Sequence, residues 1–386
     1  MSDISLISGA NHGKASARGV RIWDLPVRLF HWGLVAGVST ALVTGFLAEE
    51  WYLYIHNWAG YTIAFLISFR LIWGFFGSKY ARFASFIFTP KETIGHIKEF
   101  ARGNSAHYSG HNPAGALMVF ALLAVLLLLT VSGVIILGGQ ENLGALAGFV
   151  SFEIGAFLVE IHELLAWSLM LLIIAHVAGM IIESRISGEN LARAMVTGNK
   201  KDASNQPITM PVSTIVLRAV VIAAIVGGAG FALYQKYSAV PASGLVKLVP
   251  NETYNSECGD CHYAYHPSLL PRSSWQGIMA NLENHFGEDA SLDAETVKSL
   301  SAWLNENSSE IWDTEAANNL RKVSPKAPLS ISETPYWQSR HSEINKNVFK
   351  QTNIGTKGNC IACHSDAKTG RFDDAAISIP PPKPNT

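Results

Sequence analysis

Long apolar stretches separated by short polar connections occupy most of the first 240 residues of this chain of 386 residues. A helix needs about 20 mostly apolar residues to cross the hydrocarbon core of a bilayer. Five stretches satisfy this requirement, at about residues 27–48, 54–76, 114–138, 155–182 and 213–235. The pattern therefore predicts five transmembrane helices. Beyond about residue 240 apolar and polar residues are mixed, which predicts a domain in water.

Basic residues occur on alternate connections between these stretches. They lie in the N-terminal segment, at 77–113 and at 183–212, whereas the connections at 49–53 and 139–154 contain glutamate and no lysine or arginine. Because cytoplasmic loops carry the excess of positive charge, this distribution predicts a cytoplasmic N-terminus. Five crossings then place the residues after about 236 outside the cytoplasm.

One cytoplasmic connection contains the signals of a further helix. Thr89–Glu92 has the order of a helix N-cap, a proline at the first helical position and a glutamate at the third. Ile94, Ile97 and Phe100 follow at helical spacing. The segment therefore predicts a short amphipathic helix, which either lies on the membrane surface or packs on the end of the bundle.

The charges divide the chain into two parts. Residues 1–239 carry 16 Lys and Arg against 13 Asp and Glu, and residues 240–386 carry 13 against 17. No basic patch interleaved with aromatic residues is present, so nucleic acid is not an expected partner. The negative balance of the outer part mildly favours a basic docking partner.

All four cysteines lie in two copies of one motif. The copies are Cys258-Gly-Asp-Cys261-His262 and Cys360-Ile-Ala-Cys363-His364. Cys-x-x-Cys-His is the attachment signature of c-type haem, in which both thiols bond to the porphyrin and the histidine binds the iron. A redox or zinc site could explain one copy, but it does not explain two that use every cysteine. Attachment of c-type haem occurs outside the bacterial cytoplasm, which agrees with the orientation predicted from charge.

Four histidines lie within the predicted membrane helices, where ionisable side chains are costly and commonly functional. They are His31, His56, His162 and His176. His162 and His176 are separated on one helix by about 21 Å of rise and lie within about 40° of the same face. Depth matching then gives an inner pair, His31 with His176, and an outer pair, His56 with His162. Two facing imidazoles at one depth are suited to a six-coordinate haem b.

Other polar residues in this part allow simpler explanations. The four histidines could make ordinary polar contacts between helices. Arg70 lies at the depth of the inner pair, where it could bind a haem propionate or extend to the lipid headgroups. The remaining histidines of the cytoplasmic segments are interpreted as solvated loop residues: His12, His96, His107 and His111.

These residues lie in segments that resemble bacterial cytochrome b561 and the b-type subunits of nickel hydrogenases. The similar segments are Trp23–Trp32, His56–Tyr61 with Phe69–Phe75, Gly110–Pro113, and His162–Ala166 with His176–Val177. The resemblance covers about residues 18–205. It implies a helical bundle that holds two b haems, with His31, His56, His162 and His176 as ligands in the pairing given by depth.

The C-terminal part is similar to dihaem cytochrome c domains. The similarity runs through both cysteine motifs, Pro267–Pro271, Trp275, His285–Ala290 and His341–Ile344. It implies a second histidine on each iron. His266 is disfavoured because it lies only four residues after His262. His285 is therefore expected to serve the first motif and His341 the second, although a crossed assignment stays open.

Together these patterns predict an all-α protein with a four-helix di-haem b core, a fifth anchoring helix and a mostly helical dihaem cytochrome c domain. The expected boundaries are a cytoplasmic segment 1–20, a membrane domain 21–205, the fifth helix and linker 206–240, the outer domain 241–378 and a proline-rich tail 379–386.

Iron with two histidine ligands has no open position for a substrate and serves electron transfer. The chain lacks a glycine-rich nucleotide fingerprint, and the b561 resemblance implies a quinol as electron donor. The expected function is therefore electron transfer from the quinol pool through two b haems and two c haems to a periplasmic acceptor, as a quinol:cytochrome c-type oxidoreductase or an electron-transfer subunit. No catalytic residue is assigned.

Three alternatives stay open. Electrons could flow from a periplasmic donor to quinone, the chain could be a redox anchor or sensor without turnover of its own, or one c haem could be five-coordinate and act on peroxide. The expected location is the bacterial inner membrane, and the expected partners are the bilayer, quinone and a periplasmic c-type cytochrome or small haem protein. The family resemblance implies the last of these. A homodimer is also compatible with this organisation.

Overall fold

The computed structural model describes residues 20–104, 108–200 and 210–381. The predicted N-terminal segment up to residue 19, His12, His107 and the end of the proline-rich tail lie outside these residues. The described chain is predominantly helical, as the apolar pattern predicts. Its α-helices are α1 (Leu25–Phe46), α2 (Leu53–Phe76), α3 (Pro90–Ala101), α4 (Pro113–Gly139), α5 (Phe152–Ser187), α6 (Leu191–Thr197), α7 (Val212–Ser238), α8 (Glu252–Glu257), α9 (Arg272–Met279), α10 (Ala294–Asn307), α11 (Glu315–Leu320) and α12 (Pro335–Arg340).

Within the described residues, five helical segments are long and apolar enough to cross a membrane. They are Leu25–Phe46, Glu50–Phe76, Pro113–Gly139, Phe152–Ser187 and Val212–Ser238. Each overlaps one of the apolar stretches predicted from the sequence. Most of their side chains are not buried by the protein itself, which is expected of helices whose outer faces contact lipid.

Spatial contacts group the chain into two compact units. Unit 1 comprises Met1–Gly33, Phe69–Leu122 and Leu171–Ala223, and unit 2 comprises Leu34–Ser68, Leu123–Met170 and Ala224–Thr386. The five long helices therefore each contribute residues to both units. Unit 2 also includes the whole cysteine-containing part of the chain.

In unit 1, Asp24 sets the beginning of α1. One carboxylate oxygen of Asp24 accepts a hydrogen bond from the Val27 amide at 2.8 Å, as an N-cap does. The other accepts from the Trp73 indole at 3.1 Å, which ties α1 to α2. Gly198, with a φ of +86°, ends α6, and its carbonyl accepts from the amide of Trp23 at 3.0 Å. These bonds fix the helix that carries His31.

The predicted amphipathic helix is present as α3. Thr89 and Glu92 form a complete capping box at its N-terminus. The helix faces its neighbours through His96, which is buried, whereas Ile94 and Ile97 are 54% and 45% exposed. The apolar side chains are therefore not used to pack α3 on the end of the bundle, and the open face fits the membrane-surface alternative.

The interpretation of His96 and His111 as solvated loop residues is wrong. His96 packs against Tyr108, with ring centroids 5.5 Å apart. His111 lies between the rings of Trp23 and Phe86, with centroid separations of 4.7 and 4.5 Å, and burial lowers its pKa to about 3. The sequence shows the loop position of these residues, but it does not show that the loop folds back on aromatic side chains.

In unit 2, short helices of the cysteine-containing part pack around apolar clusters. α9 and α10 form one cluster, and α11 and α12 border another. The residues of the first cluster are Tyr254, Leu270, Trp275, Ile278, Met279, Leu300 and Leu304. Asp293 caps α10 by accepting from the amides of Glu295 and Thr296, each at 3.0 Å. The regular elements of the described C-terminal part are thus helical, as predicted.

Candidate functional site

The eight histidines predicted as iron ligands meet in four pairs, and the combinations are those expected from the sequence. Ring centroids are 6.5 Å apart in the inner pair and 6.2 Å apart in the outer pair. The first motif pair, His262 with His285, is separated by 6.3 Å, and the second motif pair, His341 with His364, by 6.2 Å. The crossed assignment of the motif histidines does not occur in the structure.

These separations fit one metal ion between two imidazoles. An imidazole nitrogen binds a first-row metal at about 2.0–2.1 Å, and the ring centroid lies about 1.1 Å behind it, so two rings on opposite sides of the metal have centroids about 6.2–6.4 Å apart. No cluster of three or more His, Cys, Asp or Glu suited to a metal is found in the described residues. Two imidazoles alone suit an ion whose other positions are filled by a macrocycle.

Hydrogen bonds define the tautomer of His162 in the outer pair. Its Nδ1 lies 2.9 Å from the Ser132 hydroxyl on α4. That hydroxyl donates to the Leu129 carbonyl at 3.1 Å, so its oxygen accepts the Nδ1 proton. Nε2 is then the nitrogen with a free lone pair. A hydrogen bond to the other ring nitrogen is the usual means by which proteins orient a metal-binding histidine.

His56 is oriented in the same way. Its Nδ1 lies 3.1 Å from the Ala41 carbonyl, which can only accept. The Thr44 hydroxyl, 3.2 Å away, donates to the Thr40 carbonyl and can therefore also accept from this ring. Both histidines of the outer pair thus carry the proton on Nδ1 and offer Nε2 as a ligand.

A cavity of about 570 Å³ adjoins the outer pair, within the range of about 300–1,000 Å³ typical of cofactor sites. Gly45 and Gly133 line it next to His56 and His162. A Cβ at Gly45 would lie 3.2 Å from Cε1 of His56, and a Cβ at Gly133 would lie 3.4 Å from Cε1 of His162. The glycines therefore leave room at both rings.

In unit 1, which also contains the inner pair, Arg70 is only 4% exposed. Its guanidinium lies over the Phe83 ring at 4.7 Å, and its Nη1 is buried without a hydrogen-bond partner in the described residues. The expectation that Arg70 could extend to lipid headgroups does not agree with this burial. A buried cation with unused donors fits an anionic group such as a carboxylate.

The first motif pair lies in an open part of unit 2. His262 is exposed, and its Nδ1 donates to the Tyr263 carbonyl at 2.9 Å, which leaves Nε2 as the available ligand nitrogen. Phe286, next to His285, is 67% exposed. Cys258 and Cys261 are free thiols, as are Cys360 and Cys363, so all four are available for bonds to porphyrin.

The second motif pair is more enclosed. Nδ1 of His341 donates to the Trp337 carbonyl at 2.8 Å, and the two rings stack with centroids 4.2 Å apart. Burial lowers the pKa of His364 to about 4, with a further contribution from His341. A neutral imidazole is the form that binds iron, so burial of His364 favours the form required of a ligand.

His266, the disfavoured ligand candidate, has structural contacts instead. It is buried, its Nδ1 lies 2.8 Å from the Ser268 hydroxyl, and its ring meets Trp312 edge to face at 4.6 Å. It pairs with none of the other histidines in the described chain.

Sequence reasoning missed four residues that either bind the rings of the outer pair or leave room beside them. They are Thr44, Gly45, Ser132 and Gly133. Small residues inside long apolar helices are a weak signal of close helix contacts, but the residue that each would contact is not evident without the packing.

Two family models match the chain. The model for prokaryotic cytochrome b561 matches residues 22–198, and the model for dihaem cytochrome c matches residues 254–372. The chain is similar to the probable Ni/Fe-hydrogenase B-type cytochrome subunit of Azotobacter vinelandii, with 26% identity over 220 residues, 49% of this chain and 91% of that protein. The corresponding protein of Rhizobium leguminosarum bv. viciae is 23% identical over 51% of this chain and 95% of its own length.

Solved structures with similarity to the chain include two dihaem cytochromes c. DHC from Rhodobacter sphaeroides is 35% identical and covers 32% of this chain and 97% of its own, with a TM-score of 0.25. The diheme cytochrome type c of Shewanella baltica OS155 is 32% identical and covers 34% of this chain and 94% of its own, with a TM-score of 0.28.

Proposed function

The chain belongs to the prokaryotic cytochrome b561 family in its N-terminal part and to the dihaem cytochrome c family in its C-terminal part, and we propose that it transfers electrons from quinol to a periplasmic acceptor through four haems. It is a membrane protein with b-type and c-type haem. The observation that carries the proposal is the spacing of four histidine pairs at 6.2–6.5 Å in one polypeptide.

The proposed ligands are the members of these pairs. His31 with His176 and His56 with His162 would each hold one haem b. His262 with His285 and His341 with His364 would each hold one haem c, attached through Cys258 with Cys261 and through Cys360 with Cys363. The iron of each haem supplies one-electron redox chemistry, and two histidine ligands leave it no position for a substrate. Hydrogen bonds at Nδ1 of His56, His162, His262 and His341 orient these rings.

Arg70 is proposed to bind a propionate of the haem at the inner pair. Its buried, unpartnered Nη1 supports this role. The proposed domains keep the boundaries expected from sequence, with a membrane domain at 21–205, a fifth helix and linker at 206–240 and an outer domain at 241–378.

The proposed topology is an N-terminus in the cytoplasm of a bacterial inner membrane and a C-terminal domain in the periplasm. It is supported by the distribution of lysine and arginine and by the extracytoplasmic attachment of c-type haem. Reporter fusions test it: an alkaline phosphatase fused after residue 381 should be active, and one fused after residue 104 should be inactive.

Quinol is the proposed donor. Oxidation of one quinol releases two protons and two electrons, and the haems would accept the electrons one at a time. Glutamates at the outer ends of the helices and at the inner end of α5 are candidate proton acceptors: Glu49, Glu50, Glu160, Glu163 and Glu183. The quinol site is assigned to neither face of the membrane. The acceptor in the periplasm is proposed to be a basic haem protein, because the outer part of the chain carries excess negative charge.

A second candidate is the reverse flow, from a periplasmic donor to quinone. The relatives' name supports it, because a cytochrome subunit of a hydrogenase belongs to an enzyme that can supply electrons. Spectroelectrochemical titration of the purified protein separates the two. For the proposed direction we expect the midpoint potentials of the c haems to equal or exceed those of the b haems. Potentials of the c haems clearly below those of the b haems would favour the reverse flow.

A further inference from the structure

Building on the proposed function, we infer that electrons pass directly between the outer pair and the second motif pair, and that Arg340 and Arg371 hold these two sites together. The first motif pair is then the terminal that faces the external partner. All residues concerned belong to unit 2. The inference assigns an order to the two c haems, which differs from their order along the chain.

Arg340 connects the second motif pair to the connection between α1 and α2. It directly precedes His341 at the end of α12. One guanidinium nitrogen contacts the carboxylate of Glu50, and another donates to Oε1 of Glu315 at 2.8 Å. Glu50 lies six residues before His56. Arg340 therefore connects the position directly before the proposed ligand His341 with the segment that leads to the proposed ligand His56.

The cavity at the outer pair extends to the same contact. Its lining includes His56 and His162 from the membrane helices, and Glu315, Arg340 and Asp374 from the cysteine-containing part. The short helical segment Asp374–Ala376 contacts Glu50–Tyr52. The cavity of the outer pair is thus closed in part by residues next to the second motif pair.

Arg371 makes a second connection. Its guanidinium donates to the carbonyls of Glu141 and Asn142 at 3.1 and 3.2 Å, in the connection between α4 and α5. Phe372 follows directly, and its ring centroid lies 5.1 Å from that of His364. Both histidines of the second motif pair are therefore adjacent to residues that contact the ends of the membrane helices.

The first motif pair has a different environment. In the described chain, the ring contacts and hydrogen bonds of His262 and His285 involve only residues 262–288. Tyr265 contacts His262 at 4.9 Å and donates to the Gly358 carbonyl at 2.8 Å, two residues before the second motif. Because electron tunnelling weakens steeply with distance, these contacts favour the order outer pair, second motif pair, first motif pair.

The test uses the full-length protein in lipid nanodiscs, with duroquinol as reductant and stopped-flow absorption to separate b from c haem. The double variant C360A/C363A removes covalent attachment at the second motif, and C258A/C261A removes it at the first. In C360A/C363A we expect the b haems to be reduced and electron transfer to the remaining c haem to be lost. In C258A/C261A we expect the remaining c haem to be reduced, whereas electron transfer to an added acceptor should stop. The opposite pattern, or equal c-haem reduction in both variants, overturns the inference.

A single substitution tests the connection without removing a haem. R340Q breaks the ion pair between Arg340 and Glu50, and K326Q, at an exposed lysine of the same part, is the matched control. Because electron tunnelling weakens steeply with distance, we expect R340Q to slow c-haem reduction severalfold or more at unchanged haem content. Rates equal to that of K326Q contradict the role of Arg340.

Hydrogen–deuterium exchange gives a readout that needs no electron donor. Amides of residues 50–52 and 374–376 should be protected in the wild-type protein and exchange faster in R340Q, but not in K326Q. Unprotected amides in the wild type would overturn the inference even if quinol reduces every haem. Conversely, protected amides in a protein that quinol does not reduce would contradict the proposed donor but support the contact between residues 50–52 and 374–376.

Discussion

The Ser132 hydroxyl accepts a hydrogen bond from Nδ1 of His162 at 2.9 Å, because its own proton is donated to the Leu129 carbonyl. This bond joins α4 to α5 and fixes the nitrogen that His162 offers to a metal. It also increases the electron density of the ring, since a partly shared Nδ1 proton gives the imidazole some anionic character.

Substitution of Ser132 by alanine tests this relationship. Loss of such a hydrogen bond typically costs about 10- to 100-fold in metal affinity or activity. We expect S132A to bind the outer haem b more weakly and to raise its midpoint potential by tens of millivolts, because a less electron-rich ligand stabilises ferric iron less. Redox titration measures the potential. S168A is the control, because Ser168 lies on the same helix as His162 and its hydroxyl donates to the Leu164 carbonyl.

The inner pair predicts a specific loss of haem b. H176A should retain the haem of the outer pair and both c haems, and its ratio of b to c haem should fall to half of the wild-type ratio. H96Q replaces another buried histidine of unit 1 that does not face His31. It should keep the wild-type ratio, which a pyridine haemochrome assay determines. Equal losses in both variants would mean that haem loss reflects unfolding.

Removal of the Arg70 charge should lower the potential of the inner haem b. A nearby cation favours the reduced iron, and the buried guanidinium is poorly screened. We expect R70Q to shift this potential downward by tens of millivolts and R70K to restore part of the shift. R82Q, at an exposed arginine of the same unit, should leave the potential unchanged. A shift in R82Q as large as in R70Q would show that the effect is not local.

The distal ligand of the first motif is tested by comparing two histidines of the outer part. H285A should convert one c haem to a high-spin form, visible by electron paramagnetic resonance. H266A should keep both c haems low-spin and instead reduce the free energy of unfolding by about 1–3 kcal/mol, through the lost contacts with Ser268 and Trp312. A high-spin signal in H266A, with H285A unchanged, would reverse the assignment.

The sequence predicts the parts of this protein that depend on periodic or local patterns. Apolar length gives the five helices, and the order Thr89–Glu92 gives the start of α3. The histidine combinations also follow from local information, because depth along a helix is set by residue number. The meeting of His31 with His176 and of His56 with His162 agrees with that reasoning.

The features that depend on packing between distant segments were not predictable. The sequence does not indicate that Arg340 reaches Glu50, since 290 residues separate them and both are ordinary surface residue types. His111 shows the same limit, because this histidine of a loop packs between the rings of Trp23 and Phe86. These contacts depend on how loops fold over the ends of helices, which no short-range pattern encodes.

The central claim, four haems with two histidine ligands each in one chain, is tested most directly by the haem stoichiometry and spin state of the purified full-length protein. Pyridine haemochrome spectra should give two b haems and two c haems per chain, and electron paramagnetic resonance of the oxidised protein should show low-spin iron at every site. Absence of haem b, or a high-spin signal equivalent to one or more haems in the wild type, would contradict the account.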